Sequence, residues 1–205
     1  MLEAFIHGAV LAFGLILPLG PQNVFVFNQG ALQSRLFKAL PAVVTASLCD
    51  TLLILLAVLG VSVIVLTLSW LKIIIFVIGF FFLIYIGWMI WNSKGGIPRD
   101  GHKQSTLKQI TFAISVSLLN PHAILDTIGV IGTGSLAYTD MEKLAFTIAC
   151  VAVSWLWFIG LAVSGGLIGR VDGDGRWIRR MNKLSALIIW GVAVYFGWQI
   201  IQLLG

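Results

Sequence analysis

Apolar residues fall in six long runs along this chain, separated by short clusters of polar residues, glycine and proline. The runs lie near 4–29, 37–67, 70–92, 107–136, 142–168 and 177–203, each long enough to cross a hydrocarbon layer of roughly 30 Å as a helix. The pattern predicts an all-α integral membrane protein with six transmembrane helices. The longest polar stretch, about 93–106, holds Ser93, Gly95, Gly96, Pro98 and Gly101 with several charges, and reads as a flexible linker. It divides one membrane domain, 1–205, into halves of about 1–92 and 107–205 with three spans each. Three is odd, so the second half enters the membrane in the opposite direction, as in an inverted repeat. An offset of 100 supports this, because it lays Leu19-Gly20-Pro21-Gln22 in span 1 on Leu119-Asn120-Pro121-His122 in span 4.

Composition narrows the function classes. The 205 residues are 59% hydrophobic and carry 13 Lys+Arg and 8 Asp+Glu, where a soluble chain of this length would carry about 50 charges. A soluble domain is thereby excluded, and any binding site must lie inside the helix bundle. The net charge of +5 is confined to short connections, where it sets orientation and does not point to nucleic acid. Arg35 and Lys38, then Lys94, Arg99, Lys103 and Lys108, then Arg170, Arg176, Arg179, Arg180 and Lys183 occupy three alternate connections, leaving only Lys72 and Lys143 for the other side. The positive-inside bias puts those three connections in the cytoplasm and both termini outside. The first run carries Glu3 instead of a basic leader and has no small-residue cleavage site, so it is expected to remain in the mature protein.

Trp70, Trp88, Trp91, Trp177 and Trp198 fall near span ends and read as interfacial anchors, whereas Trp155, Trp157 and Trp190 are expected to pack between helices. His7 and Glu3 are expected at a membrane edge. Gly165 and Gly169, four apart, allow close helix contact. Cys49 and Cys150 lie inside apolar runs and read as small buried hydrophobes, with no disulfide, metal site or cofactor implied.

Two features carry candidate chemistry. Span 1 contains Pro18, Gly20 and Pro21; each proline removes an N–H and clashes with the preceding turn, so the helix must break or kink sharply. In span 4, Asn120 and Pro121 are a favoured N-cap and first helical residue, so a second half-helix is expected to begin there. Both breaks place a helix N-terminus near the membrane midplane, where free N–H groups and the positive dipole end attract a carboxylate. Gln22, Asn23 and His122 stand beside them.

The second feature is a pair of acids. Asp50 follows Lys38 by 12 residues, about 18 Å along a helix, and Asp126 is comparably deep. Each costs roughly 2.5–3.5 kcal/mol at the centre of a bilayer, with no intramembrane Lys or Arg to offset it. They mark a site for a cation or a proton. His122 and Asp126 share a helix face at i, i+4, which suits His122 either to a proton relay or to a hydrogen bond with the carboxyl group.

The stretches LPLGPQNVFVFNQG (17–30), SLCDTLLI (47–54), LLNPHAILDTIGVIG (118–132) and SWLWFIGLA (154–162) together resemble the lysine exporter (LysE) family, especially its arginine exporter branch. The resemblance implies a bacterial inner-membrane secondary exporter of basic amino acids, not an enzyme, with the two aspartates functional. Gln22, Asn23, Asn120 and His122 join Asp50 and Asp126 as candidate substrate contacts. Export of a cation against an inside-negative potential costs about 2.3 kcal/mol per 100 mV, so proton exchange at Asp50 or Asp126 is the simplest driving mechanism. Competing readings are an exporter of neutral amino acids, an exporter of a metal cation and, most remotely, an intramembrane aspartyl protease. Against the protease stand the missing Gly-x-Gly-Asp segment and the sequence Asp126-Thr127-Ile128-Gly129 in place of Asp-Thr-Gly. The oligomeric state is left open by the sequence.

Overall fold

A computed structural model describes residues 1–18, 20–33, 35–61, 68–92, 105–171 and 175–204. Most of the expected linker, with Lys94, Arg99 and Lys103, lies outside the described residues, as do Asp172 and Asp174. The described residues form eight main helices and no strands. These are α1 (Leu2–Ile16), α2 (Pro21–Leu32), α3 (Leu40–Leu56), α4 (Ser69–Trp91), α5 (Thr106–Leu118), α6 (Pro121–Asp126), α7 (Asp140–Val171) and α8 (Arg176–Leu204). A kinked segment, Ala57–Val61, extends α3 and leaves helical geometry at Gly60, and a π-helical segment, Thr127–Gly132, followed by a last turn at Thr133–Ser135, extends α6.

Four helical segments are individually long and apolar enough to cross a membrane, and two bent pairs bring the possible total to six. The bent pairs fall where prolines interrupt the first and fourth apolar runs: α1 and α2 meet at 80°, and α5 meets the helix after Pro121 at 56°. Large apolar side chains cover the outside of the bundle. Leu59, Phe81, Leu156, Val194 and Ile201 are each at least 66% exposed, which suits lipid and not water.

Glycine sets how closely the helices approach. A Cβ on Gly30 would strike the Ala162 carbonyl oxygen of α7, and one on Gly165 or Gly169 would strike the carbonyl oxygens of Phe27 or Ala31 in α2. The α2–α7 crossing is thus a backbone-to-backbone contact of the small-residue type expected from Gly165 and Gly169. Along another edge, α4 and α8 pack antiparallel, with Phe76 against Phe196 and Trp91 stacked on Trp190 at 5.5 Å. Trp190 donates to the Ile84 carbonyl and Trp155 to Thr51, the interhelical packing expected of both. Trp91 differs from its expected role as an interfacial anchor. It is only half-exposed, held between Trp190 and the Lys183 ammonium, which lies 5.3 Å from its ring centre.

The helix directions group the charges. Toward one end of the bundle α2 terminates, α3 and α5 begin, and α7 gives way to α8, bringing Arg35, Lys38, Lys108, Arg170, Arg176, Arg179, Arg180 and Lys183 to that end. The start of α1 lies at the opposite end beside the start of α7, with Glu3, Asp140, Glu142 and Lys143. There His7 accepts from or donates to the Tyr138 hydroxyl at 3.0 Å and packs edge-on against Phe146, so it is held more firmly than a free interfacial side chain.

Candidate substrate cavity

The break between α1 and α2 is built by its own side chains. Gly20 and Asn120 each precede a proline and take extended backbone (ψ 174° and 101°), because a proline ring excludes helical geometry from the residue before it. In a continuous helix the Ile16 carbonyl would accept from the Gly20 N–H, but that N–H turns to the Pro18 carbonyl at 2.8 Å. The Asn23 amide supplies the missing donor, reaching the Ile16 carbonyl at 2.6 Å and the Pro18 carbonyl at 2.8 Å. Its oxygen accepts from the Trp157 indole at 3.3 Å. Asn23 borders the cavity, yet its polar atoms already hold the break in place. Expected as a substrate contact, it has the hydrogen bonding of a structural clamp.

The second break is made differently. Asn120 stands at the N-cap position of α6 as its sequence suggests, but its side chain caps no backbone N–H, and its Oδ1 is buried without a hydrogen-bond partner among the described residues. Pro121 occupies the first helical position. The backbone of His122 lies in the first turn of α6, while its side chain falls outside the described residues.

Between the breaks lies a cavity of about 120 Å³, room for roughly four water molecules. Pro18, Gly20, Pro21, Gln22 and Asn23 form one wall, with Asn120, Asp126 and Thr127 across it and Asp50 from α3 beside Ser154 from α7. Residues far apart in sequence, all singled out by their polarity or their breaks, thus border one space. Gln22, 7% exposed, also reaches the Ala46 carbonyl at 3.4 Å. Among the described lining residues there is no Lys or Arg. The lining thus brings two carboxyl groups to one space in a region where acidic groups are costly.

Ser154 is the functional candidate that sequence reasoning passed over. Its hydroxyl donates to Asp50 Oδ2 at 2.5 Å, and the residue is only 2% exposed. One residue on, Trp155 donates to Thr51 Oγ1 at 3.1 Å, and Thr51 donates to the Ser47 carbonyl at 2.7 Å. Two consecutive contacts therefore register α7 against α3 at the depth of Asp50. Ser154 sits four residues after Cys150, another lining residue, so helical periodicity pointed it to the same face. Thr127 was likewise missed; it follows Asp126 directly and opens the π-helical segment.

A family model described as LysE type translocator matches residues 13–199. The chain belongs to the LysE-type translocator family. Among the relatives of this LysE-type chain, a Bacillus subtilis (strain 168) protein named "Putative amino-acid transporter YisU" is 56% identical over 197 residues, covering 96% of this chain and 90% of the relative. Arginine exporter protein ArgO of Serratia proteamaculans (strain 568) is 30% identical over 207 residues, covering 97% and 98%. ArgO of Enterobacter sp. (strain 638) is 33% identical over 201 residues, covering 94% and 92%. No solved structure matches the chain. Family and helices together make it a multi-pass membrane protein of amino-acid transport.

Proposed function

We propose that this LysE-type translocator exports basic amino acids, arginine foremost, from the bacterial cytoplasm across the inner membrane in exchange for protons. The observation that carries the reading is that Asp50 and Asp126 border the same cavity between two broken helices with no basic residue among its described lining. A cationic side chain placed near two carboxyl groups is attracted by both, an attraction that a neutral side chain lacks. Two relatives named as arginine exporters, at 30% and 33% identity, support the same substrate class.

In this reading the N-terminus of α2 at Pro21 and the start of α6 at Pro121 receive the substrate carboxylate, as helix N-termini do. Asp50 and Asp126 take the cationic group or the coupled proton in turn. Gln22, Asn120 and His122 complete the substrate contacts, and Asn23 holds the break. A one-for-one exchange of cation and proton is electrically neutral, so it avoids the cost of moving net charge against the potential. The end rich in Arg and Lys faces the cytoplasm, and the two three-helix halves act as an inverted repeat about the cavity.

Cells loaded with dipeptides provide the test. Arginine or lysine efflux that depends on this protein, with little efflux of leucine or threonine, is the expected result. Preference for neutral amino acids would overturn the basic-substrate reading while leaving amino-acid transport in place.

A further inference from the structure

The π-helical segment after Asp126 touches the kinked end of α3. Ala57–Val61 and Thr127–Gly132 pack against each other on the side of the cavity away from the basic end. Turns of the π type account for well under 1% of residues in proteins, and they gather at functional sites. A wide turn of this kind holds an extra residue and displaces backbone carbonyls from their ordinary partners. In the second segment, side-chain hydroxyls take those carbonyls: Thr133 donates to those of Gly129 and Val130, and Ser135 donates to that of Gly132 at 2.7 Å. In the first, Gly60 leaves helical geometry altogether with φ +97°, a conformation that favours glycine.

An apolar cluster surrounds the pair. Ala12, Ile54, Val58, Ile131, Phe146 and Cys150 belong to it, and four of them, Ala12, Ile54, Ile131 and Cys150, also line the cavity. The same side chains that border the site thus belong to the apolar layer between it and the end bearing Asp140 and Glu142. A charged solute cannot cross such a layer without its parting. The second segment also begins at the residue after Asp126, and its first residue, Thr127, lines the cavity.

We propose that the π-helical segment Thr127–Gly132, with the kinked end of α3 against which it packs, is the release gate of this transporter. Passage of a π turn toward α geometry removes one residue from the turn and rotates the helix beyond it by about 100°. That rotation carries Ile131 out of the seal and opens the cavity toward Asp140 and Glu142. Occupancy of Asp126, one bond from the segment, biases the turn. The inference rests on the cavity being the transport site.

Cys150, fully buried within the seal, reports on it directly. In a Cys49→Ala background, a membrane-impermeant maleimide is applied to the face bearing Asp140 and Glu142, with Cys150→Ala as the blank. Slow labelling is expected with the seal intact, and labelling at least tenfold faster in Ile131→Ala, in Val58→Ala and after deletion of Val130, which shortens the π turn by its extra residue. Ile131→Val, a change small enough to spare folding, is expected to give a two- to threefold rise. Labelling that is unchanged in Ile131→Val and in every folded member of the other three overturns the gate. Adding arginine on the opposite face separates the two readings: acceleration by seal variants without any effect of arginine sustains the gate and counts against arginine as substrate.

Discussion

The Ser154 hydroxyl on α7 donates to Asp50 Oδ2 on α3 at 2.5 Å, across 104 residues of sequence. An acid that the membrane disfavours is thereby given a fixed orientation at the cavity wall by a neighbour that is itself buried. The bond ties the orientation of a cavity-lining carboxyl group to the packing of two helices, and it makes the contribution of Asp50 separable by substitution.

Asp50→Asn and Asp126→Asn are each expected to lower arginine efflux by at least a hundredfold while insertion and folding survive, since removing a charge relieves roughly 2.5–3.5 kcal/mol at the bilayer centre. Ser154→Ala is expected to reduce efflux by about tenfold, with Ser154→Thr keeping part of it. A double variant of Asp50→Asn with Ser154→Ala no worse than Asp50→Asn alone checks that serine acts through the aspartate. Wild-type efflux from either Asp-to-Asn variant would make the acids structural.

Asn23→Ala removes the donor that holds the Ile16 and Pro18 carbonyls. The Pro18 carbonyl keeps the Gly20 N–H while that of Ile16 loses its donor, so a loss of about 1–3 kcal/mol of stability is expected. Unfolding in detergent with increasing denaturant measures this, and Asn23→Asp, which cannot donate when ionised, is expected to behave like the alanine variant.

Pro21→Ala restores an N–H and lets α1 run toward α2. Insertion is expected to be spared and efflux to fall at least tenfold as the start of α2 loses its place at the cavity. Scanning by membrane insertion and efflux in parallel separates the two effects.

Gly30→Ala and Gly165→Ala push a Cβ into the facing backbone and are expected to destabilise by about 1–3 kcal/mol or more. Gly160→Ala and Gly191→Ala, where an added Cβ meets nothing within 4 Å, are expected to be neutral in the same thermal unfolding assay.

Labelling of single introduced cysteines in intact cells is expected to reach position 141 near the start of α7 from outside and position 37 between α2 and α3 only after permeabilisation. The reverse result would invert the topology read from the basic residues.

Periodicity and composition alone were enough to establish a helical membrane protein, the places of its apolar runs and the two proline breaks, because a bilayer imposes span length and excludes unpaired backbone with little regard to tertiary detail. Asp50 and Asp126 stood out as candidate site residues for the same reason: a charge in hydrocarbon is conspicuous wherever it lies. Tertiary structure decided what those residues face. Asn23 reads as a binding residue in sequence, yet only the 80° bend between α1 and α2 brings the Ile16 and Pro18 carbonyls within its reach. Ser154 is inconspicuous within an apolar span until α7 packs beside α3 and sets it against Asp50. The π-helical segment Thr127–Gly132 has no sequence periodicity of its own, since a single extra residue per turn is chosen by packing between neighbours and not by local propensity. Contacts made at separations of 100 residues or more depend on which helix faces which, and an isolated span carries no record of its neighbours.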